Sequence, residues 1–174
     1  LGLSYEALSE VNPELIYYSA KGFLPGPYQD RTALDEVAQM MGGLAYMTGP
    51  PGRPLRAGAS VIDVTGGMFG VIGILAALEE RRRTGRGQLV RSSLFETTAF
   101  LVGQHMAQKA VTGQAANPMP ARLSAWSIYD VFTTADQESL FIGVVTDALW
   151  VKFCALFGLD ALDADPRFAR NADR

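Results

Sequence analysis

Few residues in this sequence are placed to do chemistry, and the foremost is Asp63, at the junction between Ala59-Ser60-Val61-Ile62 and an apolar run, Val64 to Leu78, with glycines at 66, 67, 70 and 73. A carboxylate at the start of a helix faces unpaired backbone N–H groups and the positive end of the macrodipole. Aspartate is also a favoured N-cap, so Asp63 is expected either to cap the helix or to act as a nucleophile, and the two roles are compatible. As a nucleophile a carboxylate is weak, and exclusion of water from an apolar site raises its reactivity. Gly66 and Gly67, nearest to Asp63, are the positions where a ligand can approach the backbone, whereas Gly70 and Gly73 suit close packing of the helix. Upstream, Asp35 is the second candidate: if its helix packs beside the next, two neighbouring carboxylates suit acid–base work. Charges at Asp30, Asp35 and Glu36 are equally ordinary at a helix N-terminus.

Other chemistries lose support. No phosphate-binding loop of the G-x-x-x-x-G-K-[ST] type and no G-x-G-x-x-G pattern is present, nor a G-x-S-x-G elbow to pair with the lone histidine, His105. The single cysteine, Cys154, lies in the apolar stretch Trp150 to Phe157 and reads as a core thiol. Metal ligands are not grouped, so no metal site is expected. Arg81, Arg82, Arg83 and Arg86 could meet phosphates but also compensate a helix C-terminus. A net charge of −3 argues against broad electrostatic binding of nucleic acid. One cysteine excludes an internal disulfide and fits a reducing, cytoplasmic setting.

These residues need elements to hold them. Ser4 to Glu10 reads as a short helix, and Leu15 to Ser19, after Asn12-Pro13, as a strand. A loop over Gly22 to Tyr28 precedes a helix from Asp35 to Met47, with apolar spacing at Val37, Met40, Met41 and Leu44. The next helix runs from about Val64 to Arg83 and ends at Gly85. Its uncharged part, positions 64–78, is shorter than the roughly 20 residues a bilayer requires, so a buried core helix is expected and no membrane association. Gln88 to Leu94 then reads as a strand and Glu96 to Val111 as a further apolar helix. Strand and helix alternation implies an α/β layer with parallel strands.

From Thr112 to Ala121 the composition turns to glycine, proline, alanine and asparagine, the mark of a linker. Ser127 to Thr133 and Ser139 to Val145, separated by polar residues, form a hairpin signal; Thr146 is set to cap a helix from Asp147 to Phe157, with Gly158 ending it. A start at Leu1 without methionine and an end at Arg174 lead us to expect an internal segment of a longer protein.

Taken together, Asn12-Pro13-x-Leu15-Ile16-Tyr17, Gly22-Phe23, Gly26-Pro27-Tyr28, Asp35-x-Val37-Ala38-Gln39-Met40-x-Gly42-Gly43-Leu44, Thr48-Gly49, Asp63-x-x-Gly66-Gly67, Gly73 to Leu78 and Arg83 to Gln88 resemble the family III CoA-transferases, the formyl-CoA transferase and carnitine CoA-transferase group. The likeness is strong over about the first 110 residues and looser beyond. It implies a Rossmann-like large domain with parallel strands and flanking helices over 1–111, a linker over 112–125, and the start of a smaller α+β domain over 126–174. It further implies an enzyme moving coenzyme A between an acyl-CoA thioester and a free carboxylic acid, with Asp63 as the nucleophile that becomes an aspartyl-CoA thioester and Asp35 in support. Backbone N–H groups aimed at the developing oxyanion are expected to supply much of the acceleration. No permanently bound cofactor is implied, CoA being substrate, and the family's architecture implies an interlocked homodimer.

Three departures shape the expectation. Related acyl-CoA racemases carry a histidine where Leu34 stands, which disfavours a racemase or isomerase, the alternative activity; a catalytically silent CoA-binding or dimerisation segment is the alternative from another class. Thr32 stands where formyl-CoA transferase has a CoA-contacting lysine, so Thr32 is a cofactor-side candidate with altered contacts. The glycine-rich covering loop is replaced by Pro120 to Trp126, which removes support for oxalate as acceptor.

Overall fold

The computed structural model describes residues 2–122 and 124–174; Leu1, in the expected large domain, and Leu123, in the expected linker, lie outside the described residues. The chain divides into two compact units, Leu1–Arg122 and Leu123–Arg174. The segment from Thr112 to Ala121, read from composition as linker, belongs to the first of these. Tyr46 helps to hold it there by donating its hydroxyl to the carbonyl of Ala116 at 3.5 Å.

In the first unit, α1 (Tyr5–Val11) starts at Ser4, whose hydroxyl accepts from the amide of Ala7. It leads to β1 (Tyr17–Lys21), which pairs in parallel with β2 (Leu89–Ser93) in a register running from Tyr17 opposite Leu89 to Lys21 opposite Ser93. A parallel pair demands a long crossover, and three helices make it: α2 (Asp35–Gly42), α3 (Leu44–Thr48) and α4 (Val61–Thr84). Two further helices, α5 (Leu94–Leu101) and α6 (Gly103–Thr112), follow β2.

Helix α4 lies on the two strands because its inner face is nearly bare. A methyl group at Gly73 would stand 2.7 Å from Val90, and one at Gly70 would overlap the ring of Tyr18. Tyr18 cannot simply swing away, since its hydroxyl bonds Ser92 at 2.6 Å. Glycine at these positions therefore trades helix propensity for close approach to the sheet.

Two helices expected to be continuous are broken. Gly43, at φ +91°, takes the left-handed conformation and ends α2 before α3 begins, which a residue with a Cβ adopts only at a cost. Likewise Val102 separates α5 from α6. The expectation of a buried core helix at 64–78 also needs correction. Only Ile62, Gly66, Gly70 and Ala77 of α4 are buried, while Val64, Met68, Val71, Ile72 and Leu75 are mostly exposed. At 24 residues α4 is long and apolar enough by length and composition to cross a membrane.

In the second unit, β3 (Ile128–Thr133) and β4 (Ser139–Val144) form the antiparallel hairpin that the sequence pattern predicts. The following helix, α7 (Asp147–Phe157), is capped by Thr146, whose hydroxyl accepts from the amide of Leu149, and closed by left-handed Gly158. A short α8 (Asp160–Asp163) comes after it. Val144, Trp150 and Cys154 form the core, and Arg174 stacks on Trp150 while pairing with Asp147 at 2.9 Å.

Candidate active site

Asp63 is the third residue of α4, not its cap. Ser60 occupies the N-cap position, and its side chain makes no capping bond. The capping is supplied from another helix: one carboxylate oxygen of Asp35, Oδ2, accepts from the amide of Ile62 at 2.8 Å and from that of Asp63 at 3.1 Å. The remaining first-turn amides are also satisfied, Val61 by the carbonyl of Ala59 at 2.8 Å and Val64 by that of Ser60 at 3.1 Å. The first turn of α4 therefore holds no free N–H for a developing oxyanion. That corrects the expectation of unpaired amides beside Asp63; a carboxylate from outside the helix already fills the place an anionic ligand would take.

Asp35 is 4% exposed, and its other oxygen is engaged as well, accepting a hydrogen bond from Nε2 of Gln39. Gln39, fully buried, completes a chain of bonds by accepting with Oε1 from the amide of Ala57 at 2.8 Å. The pair thus ties α2 to the loop before α4 and to the first turn of α4. An acceptor committed to three N–H groups is suited to positioning. Beside it at the surface, Glu36 pairs with Arg56, whose Nε donates to the carbonyl of Ala57 at 3.1 Å.

Sequence reasoning overlooked Gln39 because it followed apolar residues. The buried stripe of α2 is Asp35, Ala38, Gln39 and Gly42, while Met40 and Met41, expected on the inner face, are exposed. The stripe keeps helical spacing but is half polar. The available signal was the Asp35 and Gln39 spacing of four, which places two complementary polar side chains side by side on one face.

In contrast to Asp35, the Asp63 side chain is exposed and accepts no hydrogen bond among the described residues. Gly66 is buried, with the hydroxyl of Thr97 and the side chain of Leu94 at ordinary contact distance from where a Cβ would stand. Gly67 faces open space. Thr32 is exposed in the segment before α2. The structure therefore joins Asp35 to the backbone of Asp63 and leaves Gly67 open on the same helix.

The remaining candidates have other occupations. Arg82 and Arg83 pair with Glu79 and Glu80, and Arg81 donates to the carbonyl of Glu14 at 3.1 Å. His105 lines an apolar cleft of about 320 Å³ together with Tyr46, Met47 and Val102. Cys154 is fully buried, and burial, followed by the nearby Asp163 carboxylate, pushes its thiol above the usual range. Among the described residues no three His, Cys, Asp or Glu side chains gather as a metal site would require.

The fold defines a class first. The chain superposes on a CAIB/BAIF family protein from Brucella suis with a TM-score of 0.79 and 33% identity, covering 99% of this chain and 46% of that one. A hypothetical protein from Mycobacterium tuberculosis matches with a TM-score of 0.83 at 26% identity, again over 99% of this chain and 46% of the other. The family model of CoA-transferase family III matches residues 1–174, and the chain belongs to that family. It is 39% identical to the acetyl-CoA:oxalate CoA-transferase of Acetobacter aceti, over 100% of this chain and 45% of the relative. To the succinate–glutarate CoA-transferase of Agrobacterium fabrum it is 34% identical, over 99% of this chain and 44% of the relative. The chain thus spans under half the length of these relatives.

Proposed function

We propose that this chain carries the nucleophile of a CoA-transferase that exchanges coenzyme A between an acyl-CoA thioester and a free carboxylic acid through a covalent aspartyl-CoA thioester at Asp63. The observation that carries this reading is the division of labour at the start of α4: Asp35 takes the amides of Ile62 and Asp63, and the exposed Asp63 carboxylate is left without an internal partner. Two carboxylates are thereby given two roles by their surroundings.

In the proposed sequence, an Asp63 oxygen attacks the thioester carbonyl of the donor and CoA leaves as the thiolate, giving a mixed anhydride. The thiolate then attacks the Asp63 carbonyl, forming the aspartyl-CoA thioester and releasing the donor acid as carboxylate. An acceptor carboxylate attacks that thioester and forms a second mixed anhydride with loss of thiolate. Attack of the thiolate on the acceptor's carbonyl yields the new acyl-CoA and frees Asp63. One thioester replaces another, so the exchange requires no nucleotide hydrolysis. Since the first-turn amides of α4 are already bonded, the oxyanion donors of this sequence come from other parts of the protein.

The test is intact-mass measurement of the full-length polypeptide after mixing with a panel of acyl-CoAs. A covalent CoA adduct is expected in the unaltered protein and not in Asp63→Asn, with transfer abolished in the variant. Normal turnover by Asp63→Asn would remove Asp63 from the reaction; α-proton exchange without CoA transfer would assign a racemase.

A further inference from the structure

We propose that Gln39 is a positioning residue for the reaction at Asp63, acting through Asp35; the inference rests on the transferase reading above. The carboxamide of Gln39 has no freedom to flip. Its Oε1 must face the amide of Ala57, a donor, so its Nε2 must face Asp35. Gln39 is fully buried and Asp35 nearly so, which shields both bonds from bulk solvent. The orientation of Asp35 is thereby fixed from one side by α2 and read out on the other by the amides of Ile62 and Asp63.

This matters for the nucleophile because of where Asp63 sits. An acidic residue in the third position of a helix ordinarily reaches back to N–H groups of its own first turn or N-cap. Asp35 holds the amides at positions two and three and so closes both to Asp63, whose carboxylate accepts no hydrogen bond among the described residues and stays available to a thioester carbonyl. Loosening Gln39 lets Asp35 release those amides. The Asp63 side chain then gains local hydrogen-bond partners and loses both orientation and nucleophilicity, and misplacement by about 1 Å is enough to cost on the order of 100-fold in rate.

Two substitutions give a readout that general destabilisation does not. In Q39E the introduced carboxyl faces Asp35, and one proton must be shared for the bond between them to form; like charges raise the apparent pKa of such a pair. The proton is bound below that raised value, so the variant regains its geometry as pH falls and loses it as pH rises. The other titratable groups on the elements around α2 are Glu36 and Arg56, paired with one another, Arg53 of the loop, Tyr46 on α3, Asp63 at the start of α4 with Glu79, Glu80, Arg81, Arg82 and Arg83 at its other end, and Glu96 on α5. Glu96 is engaged with the amide of Leu24 and the hydroxyl of Ser93. All of these are common to the unaltered protein and the variant, so the difference between their pH profiles belongs to position 39. In the double variant D35N/Q39E the polarity of the chain is reversed: the introduced amide keeps an oxygen for Ile62 and Asp63 and donates to the introduced carboxylate, which still accepts from Ala57.

The experiment measures the rate of CoA adduct formation by rapid quench and mass spectrometry in full-length protein, with kcat and KM for acyl-CoA alongside. For Q39L we expect kcat lowered on the order of 100-fold with KM for acyl-CoA little changed. Q39E should gain rate toward low pH relative to the unaltered protein, and D35N/Q39E should recover most of the rate lost in either single variant. A Q39E profile parallel to that of the unaltered protein, or a folded double variant as slow as Q39L, overturns the role of Gln39. Failure of the unaltered protein to form any adduct overturns the transferase reading instead, and with it this inference.

Discussion

Replacing Asp35 by asparagine should loosen the start of α4 by an amount that follows from counting donors. The carboxylate serves three of them: the amides of Ile62 and Asp63 and the Nε2 of Gln39. The amide oxygen of D35N can keep the two backbone donors, but its NH2 then confronts the NH2 of Gln39. Rotating Gln39 relieves that clash only by leaving the amide of Ala57 unpaired. Either way one buried donor is orphaned, at about 1–3 kcal/mol. Hydrogen exchange of the peptide spanning Ala57 to Val64 reads this locally, and every 1.4 kcal/mol is tenfold, so exchange should accelerate by about 5- to 150-fold. Q39E alone should behave similarly at neutral pH. The double variant restores every bond, so protection should return toward that of the unaltered protein, with a coupling of about 0.5–3 kcal/mol between the two sites. Additive losses in the double variant, or unchanged exchange in D35N, would refute the network as drawn.

Further outcomes follow from other contacts. G70A should lower Tm by an amount corresponding to about 1–3 kcal/mol, because the added methyl meets the ring of Tyr18 while Ser92 holds that ring's hydroxyl; thermal unfolding checks it. T146A removes the cap of α7 and should cost about 0.5–2 kcal/mol of stability in the second unit, seen as faster exchange at Leu149. The Cys154 thiol, buried and shifted upward by that burial, should resist alkylation at pH 8 in the native protein and react fully once denatured, as a thiol titration will show.

The sequence made the candidate residue Asp63 easier to single out than the contacts around it. Asp63 stood out because a charged residue opens an uncharged run, and the parallel strands followed from alternating periodicities. The hairpin and α7 were legible to within a residue or two because turn residues, Thr146 and Gly158 act locally. What the sequence hid is nonlocal. No rule of spacing says that the cap of α4 arrives from α2, and the rule that buried faces are apolar pointed at Met40 and Met41 when Asp35 and Gln39 were inside. The break at Gly43 was equally silent, since Gly42 and Gly43 offer two adjacent positions and nothing local says which packs, as Gly42 does against Thr98, and which turns left-handed, as Gly43 does. The exposure of α4 was missed for a different reason: hydropathy alone does not tell which apolar residues find a neighbour within the chain.

The central claim is that the Asp63 carboxylate receives CoA from a thioester. Hydroxylamine added to the full-length protein during incubation with an acyl-CoA converts an activated aspartyl group into a hydroxamate, and peptide mass spectrometry locates it. The account expects the modification on Asp63, dependent on acyl-CoA, with Asp35 unmodified. Modification at another carboxylate, or CoA transfer that proceeds with Asp63 untouched, would contradict it.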